Sequence, residues 1–152
     1  MRGGKLENLV ELKIKLAPGA VLPQYKTQGA AGADICALLK EDVTLKPFER
    51  KAITTGLFFE IPQNYEIQIR PRSGLAIKNG ISLVNTPATI DSDYRGELHV
   101  ILINLGSEDF VIHNGDRIAQ MVLSPVTIAD FKVVTELSQT QRGTNGFGST
   151  GV

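Results

Sequence analysis

Glu66-Ile67-Gln68-Ile69-Arg70, running on into Pro71-Arg72-Ser73-Gly74, decides how this chain folds. Its first five residues alternate polar and apolar, the period-two pattern of a strand with one buried face. Past Pro71 a short helix is predicted around Gly74 to Lys78, ending at Asn79-Gly80, where Gly suits a left-handed C-cap. Working outward, Leu12 to Leu16 alternates with lysines, and Ile53 to Ile61 is rich in Thr, Phe and Ile. His99 to Leu105 is nearly all apolar, and Phe110-Val111-Ile112 and Ile118 to Leu123 follow. Pro18, Pro23, Pro47, Pro62, Pro71, Pro87 and Pro125 punctuate the edges of these runs. Many short strands with turn signals at this spacing predict an all-β sandwich or barrel with one short helix. There is no repeat of solenoid length.

At 152 residues the chain fits one domain with a real core. Lys+Arg and Asp+Glu are both 16, which argues against a nucleic-acid-binding surface, since affinity for a phosphate backbone needs excess cations. A local basic pocket for one triphosphate stays open. Cys36 is alone, so no internal disulfide forms, which fits a reducing compartment. His99 and His113 lack Cys/His companions at ligand spacing, so no zinc site is expected. No apolar run approaches the roughly 18–20 residues of a membrane span. Arg2 and Lys5 have no apolar stretch behind them, so no secretory signal is expected. A cytoplasmic protein with no membrane partner is the expectation.

Thr89-Ile90-Asp91-Ser92-Asp93-Tyr94-Arg95-Gly96-Glu97 joins two strand-like runs. Asp and Gly sit in turns for conformational reasons. This connection also holds a possible base in Asp91, a flat ring in Tyr94 and a cation in Arg95. Arg70-Pro71-Arg72-Ser73-Gly74 offers guanidinium groups, a hydroxyl and helix-start N–H groups, either a phosphate cradle or a helix start with solvated arginines. A Walker-type loop is absent, which excludes an ordinary P-loop NTPase. Gln120 interrupts an apolar run and either faces solvent by alternation or meets a ligand. Ala30-Ala31-Gly32-Ala33-Asp34 places an acid after small residues, a sign of tight packing or a turn. Residues 139–152 are Gly/Thr/Ser-rich, with Phe147 their large apolar residue. They read as a frayed tail or as an arm that closes over a ligand.

In this order, the segments resemble the trimeric deoxyuridine triphosphatase (dUTPase) family. The resemblance rests on Ala31-Gly32-Ala33-Asp34-Ile35, Pro71-Arg72-Ser73-Gly74-Leu75-Ala76, Asn85 through Glu97, Gly115-Asp116-Arg117-Ile118-Ala119-Gln120, and Arg142 through Gly151. It implies a jelly-roll-like β-barrel or sandwich over residues 1–138 and a flexible Gly-rich C-terminal arm over residues 139–152. It also implies a homotrimer whose active sites each draw on three chains. The implied reaction is Mg²⁺-dependent hydrolysis of dUTP to dUMP and pyrophosphate, which clears dUTP from the nucleotide pool and supplies dUMP for dTMP synthesis.

Carried onto this chain, the resemblance makes Asp91 the base that activates the water attacking the α-phosphorus. A carboxylate only accepts hydrogen bonds when ionised, which suits that work. Arg72, Ser73 and Gly74 would hold the phosphates, and Gln120 would position the α-phosphate or the water. Arg142, Ser149 and Thr150 would clasp the γ-phosphate, and Phe147, followed by Gly148, would stack on uracil. Tyr94 would press on the deoxyribose and exclude a 2′-hydroxyl. Asn85 and the backbone at Thr89, Ile90 and His99 would read the uracil edge, refusing cytosine by leaving buried partners unpaired. Asp34 would hold a water of the Mg²⁺ shell.

One departure stands out. Relatives with a Pro here usually follow it with Gly, whereas Pro87 precedes Ala88. If φ > 0 were needed, Ala88 would cost roughly 1 kcal/mol, and its methyl would crowd the uracil. Two rivals follow from the same fold. A dCTP deaminase would need a catalytic Glu where this chain has Ile101. A nucleotide-gated binding trimer would show degenerate motifs, and apart from Ala88 none is found.

Overall fold

The computed structural model describes residues 8–148. Its strands are β1 (Lys13–Leu16), β2 (Ala33–Cys36), β3 (Val43–Leu45), β4 (Arg50–Glu60) and β5 (Tyr65–Arg70). After helix α1 (Ser73–Asn79) come β6 (Ile81–Leu83), β7 (Ala88–Ile90), β8 (Glu97–Asn104), β9 (Phe110–Ile112) and β10 (Arg117–Pro125). One antiparallel sheet runs β1-β4-β8-β6, a second β2-β10-β5-β7, and β3 pairs with β9. The fold is an all-β jelly roll with one short helix.

Alternation along the strands makes the core. Ile67 and Ile69 of β5 are buried while Glu66, Gln68 and Arg70 are not. In β8, Leu98, Val100, Leu102 and Asn104 turn inward and Glu97, His99, Ile101 and Ile103 outward. Side chains from both sheets, including Ile35, Ile53, Leu57, Ile67 and Leu102, merge into one apolar cluster. A fully buried leucine or isoleucine contributes about 1.5–3 kcal/mol relative to exposure. The buried amide of Asn104 donates to the carbonyls of Leu45 (2.9 Å) and Glu108 (2.7 Å), tying β8 to the β3 side without an unpaired polar group.

The expected helix is present, two residues longer than predicted, and Gly80 caps it at φ 68 and ψ 23. A Cβ at Gly80 would lie 2.6 Å from the Gly106 nitrogen, so Gly is needed there for space as well as conformation. Four strands escaped the sequence reading: β2, β3, β6 and β7, each three or four residues long. Such pieces are too short for periodicity to show. They become strands because longer partners pair with them.

Two local points need the structure. The 91–96 connection joins strands of different sheets, since β7 belongs to the second and β8 to the first. It carries the chain from one layer to the other. Ala88 does not occupy a left-handed conformation, since the non-Gly residues with positive φ are Phe48, Asn64 and Phe147 among the described residues. It sits in β7 opposite Ile69, with its methyl in the core. The preceding Thr86-Pro87 peptide is cis.

Candidate active site

The sequence-assigned residues gather in two places. The first is a cavity of about 280 Å³ where β7 crosses to β8, lined by Thr89, Ile90, Asp91, Tyr94, Glu97 and His99 together with Ala52, Leu98 and Ile101. β7 is an edge strand, so half of its backbone N–H and C=O groups face away from β5 unpaired. A turn closed by the Tyr94 N–H on the Asp91 carbonyl (3.2 Å) sets the spacing between carboxylate and ring. The Tyr94 hydroxyl donates to the Glu97 carbonyl at 3.0 Å, and a Cβ on Gly96 would meet that hydroxyl at 2.4 Å. Gly96 thus makes room for the ring. Ala88 does not line this cavity.

Glu97, which the sequence reading left without a role, braces this wall. Its carboxylate accepts from the Gly56 N–H (2.9 Å) and faces His99 Nε2 at 3.2 Å. Gly56 has φ 67 and lies where the β4–β8 register shifts, so Glu97 stitches an irregular stretch of β4 to the start of β8. Burial pushes the Glu97 carboxyl up, but the Gly56 N–H and the adjoining His99 outweigh it and hold the group below its ordinary value.

The second place lies on β2, β10 and the start of α1. Asp34, Gln120 and Arg70 sit side by side across three strands. Asp34 Oδ1 lies 3.5 Å from Arg72 Nε, and Asp34 Oδ2 accepts from Arg117 Nη1 at 3.2 Å. Gln120 faces the site rather than bulk solvent, and its Nε2 donates to the Pro71 carbonyl at 2.9 Å. A Cβ on Gly32 would lie 2.3 Å from Gln120 Oε1, so the small residue before Asp34 leaves space for this amide. Ser73 and Gly74 open α1 on the exposed surface, Gly74 with nothing within 4 Å of an added Cβ. Burial first, and then the Asp34 charge, push the Cys36 thiol up.

One chain does not join the two places. Ile90, beside Asp91, is opposite Ile67, while Gln120 is opposite Arg70, three residues further along β5 and one strand over on its other side. At about 3.3 Å per residue and 4.8 Å per strand, their backbones stand roughly 14 Å apart. Asn85 is exposed in the β6–β7 link and does not line the cavity. Among the described residues Arg142 bonds within its own turn, to the Asn145 carbonyl at 2.8 Å, and Phe147 is fully exposed. Ser149 and Thr150 lie outside the described residues.

Among the described residues, no group of three or more His, Cys, Asp and Glu side chains is placed to cage a metal. No described helix is long and apolar enough to cross a membrane.

The dUTPase family profile matches residues 19–151. The chain belongs to the dUTPase family. A deoxyuridine 5′-triphosphate nucleotidohydrolase of Treponema denticola is 59% identical over 143 residues, covering 94% of this chain and 99% of that protein. Its namesake from Zymomonas mobilis is 56% identical over 146 residues, with 94% and 99% covered. The structure of the Staphylococcus bacteriophage 80alpha dUTPase with dUpNHpp superposes with a TM-score of 0.85 at 29% identity, covering 93% of this chain and 99% of that one. The dUTPase family uses a divalent metal.

Proposed function

We propose that this chain is a dUTP diphosphatase, a cytoplasmic homotrimer that hydrolyses dUTP to dUMP and pyrophosphate with Mg²⁺. One observation carries the reading of the substrate: the cavity that sets Asp91 beside the fixed ring of Tyr94 under an unpaired strand edge. The free N–H and C=O groups of β7 read the uracil edge, and the Tyr94 ring packs on the deoxyribose. A 2′-hydroxyl has no space there. Ile101 in the cavity lining has no proton to give, which sets aside the deaminase.

Asp91 accepts a proton from the water that attacks the α-phosphorus. Arg72, Ser73 and Gly74 hold the phosphate chain, Gln120 positions the α-phosphate or the water, and alignment with charge neutralisation does most of the rest. Residues 139–152 form the arm, with Arg142, Ser149 and Thr150 on the γ-phosphate and Phe147 and Gly148 over the uracil. The gap of roughly 14 Å between Ile90, beside Asp91, and Gln120 favours assembly, since a second copy is what brings one chain's base next to another's phosphate cluster. Exposed apolar residues after β10, such as Ile128, Phe131 and Leu137, also favour a neighbour's surface as their seat.

Asp34 fits an outer-sphere hold on the metal. Its contacts with Arg72 and Arg117 leave lone pairs free to accept from a metal-bound water. When bound with the triphosphate, Mg²⁺ neutralises charge on the phosphate oxygens.

The test is pyrophosphate release from dUTP, dCTP, dTTP and UTP with Mg²⁺, together with the mass in solution by light scattering. Release from dUTP alone by a particle of three chains supports the reading. Equal turnover of UTP or dTTP, or an active monomer, contradicts it.

A further inference from the structure

Building on the reading of Arg72 as a phosphate ligand, we propose that Arg117 is a positioning residue that holds Arg72 in place, and that a bulge in β10 exists to aim it there. Along β10, Met121, Gln120 and Ala119 stand opposite Ala33, Asp34 and Ile35, but the next residue of β2, Cys36, stands opposite Arg117 and not Ile118. In an unbroken strand, Arg117 would point to the face opposite Gln120, since they are three residues apart. The extra residue reverses this. Asp34 and Cys36 share one face of β2, so their partners Gln120 and Arg117 share it too. The mark of the bulge is that Ile118 and Ala119, though adjacent, are both buried, at 1% and 0% exposure.

On that face Arg117 closes a ring of contacts. Its Nη1 donates to Asp34 Oδ2 (3.2 Å), Asp34 Oδ1 faces Arg72 Nε (3.5 Å), and Arg72 Nη1 donates to the Arg117 carbonyl (3.0 Å). The Arg72 guanidinium is therefore held at two of its nitrogens, Nε by the Asp34 carboxylate and Nη1 by the bulged backbone. A planar group fixed in this way surrenders less freedom when it meets a phosphate. The charge also matters. Paired with Asp34 alone, Arg72 would present a neutral ion pair to an anionic ligand. Arg117 leaves the trio net positive, and its own guanidinium, with a side chain 48% exposed, keeps donors free.

The experiment compares Arg117→Gln and Arg117→Lys with the native chain, each also in an Arg72→Ala background. Binding of dUpNHpp and of dUMP is titrated, and KM and kcat for dUTP are measured. Arg117→Gln is expected to weaken dUpNHpp and raise KM about ten-fold, with dUMP affinity within about three-fold. Lys restores part of the loss, and the same change made in Arg72→Ala adds little. Equal losses for both nucleotides, full additivity with Arg72→Ala, or no effect would each overturn the proposal. A native chain that fails to bind dUpNHpp refutes the functional reading itself, whereas native binding with an indifferent Arg117→Gln refutes only the positioning role.

Discussion

Tyr94 and Phe147 are both aromatic rings assigned to the same nucleotide, and the fold treats them in opposite ways. Tyr94 is held by a 3.0 Å hydrogen bond to Glu97, with Gly96 cleared beneath it. Phe147 stands fully exposed at φ 51, flanked by glycines where an added Cβ would meet nothing within 4 Å among the described residues. After Val126, whose N–H bonds the Asn64 carbonyl, the described chain makes no further backbone bond to the body. The difference divides the labour. Under the function proposed above, the body holds its groups ready at no further entropic cost, while the arm is ordered by what it binds.

The sharpest way to test the fixed side is Asp91→Asn. Turnover should fall about a thousand-fold, as expected for loss of a general base, while dUpNHpp binding persists. Retained turnover would move the chemistry away from this pocket. Next in size is a matched pair of glycine changes. Gly32→Ala drives a methyl to 2.3 Å from Gln120 Oε1, so kcat should drop on the order of ten-fold and the melting temperature should fall. Gly146→Ala meets nothing within 4 Å in the described chain, so its melting temperature should be unchanged and any loss should appear only in kcat/KM. If both variants lose stability alike, the arm is packed on the body after all.

Ala88→Gly addresses the departure from the family pattern. Because Ala88 is in a strand with its methyl in the core, the change should cost about 1 kcal/mol in chemical denaturation and leave KM unimproved. A clear fall in KM would show that the methyl reaches the uracil. The smallest effect concerns Glu97. Its folded pKa is depressed, so its stabilising contribution is present above the unfolded value, near 4.3, and is lost as pH falls through the folded value. Denaturation profiles between about pH 3 and 6 should be steeper for the native chain than for Glu97→Gln.

Much of this was legible beforehand. Alternation exposed β5, and long apolar runs exposed β4, β8 and β10, because those strands carry enough residues to show their faces. Gly80 announced its own left-handed cap. The short strands were hidden, since pairing with a distant partner leaves no local mark. Ala88 raised the question of a positive φ because relatives with a Pro here usually follow it with Gly, whereas in this fold the position belongs to an ordinary strand. The motifs supplied the candidate residues but not their arrangement. That Ile90, beside Asp91, falls roughly 14 Å from Gln120 in one chain follows from register, which no motif encodes. Arg117 lay inside a quoted motif and went unassigned, because a bulge changes which face a residue occupies.

The division between a ready body and an arm ordered by its ligand is tested most directly on a chain ending at residue 138. Binding of dUMP and of dUpNHpp would be titrated beside the full chain, with melting temperatures recorded for both. The account predicts an unchanged melting temperature, dUMP bound within a few-fold of the full chain, and dUpNHpp weakened by an order of magnitude or more. Equal loss of both nucleotides, or a truncated chain that melts early, would contradict it.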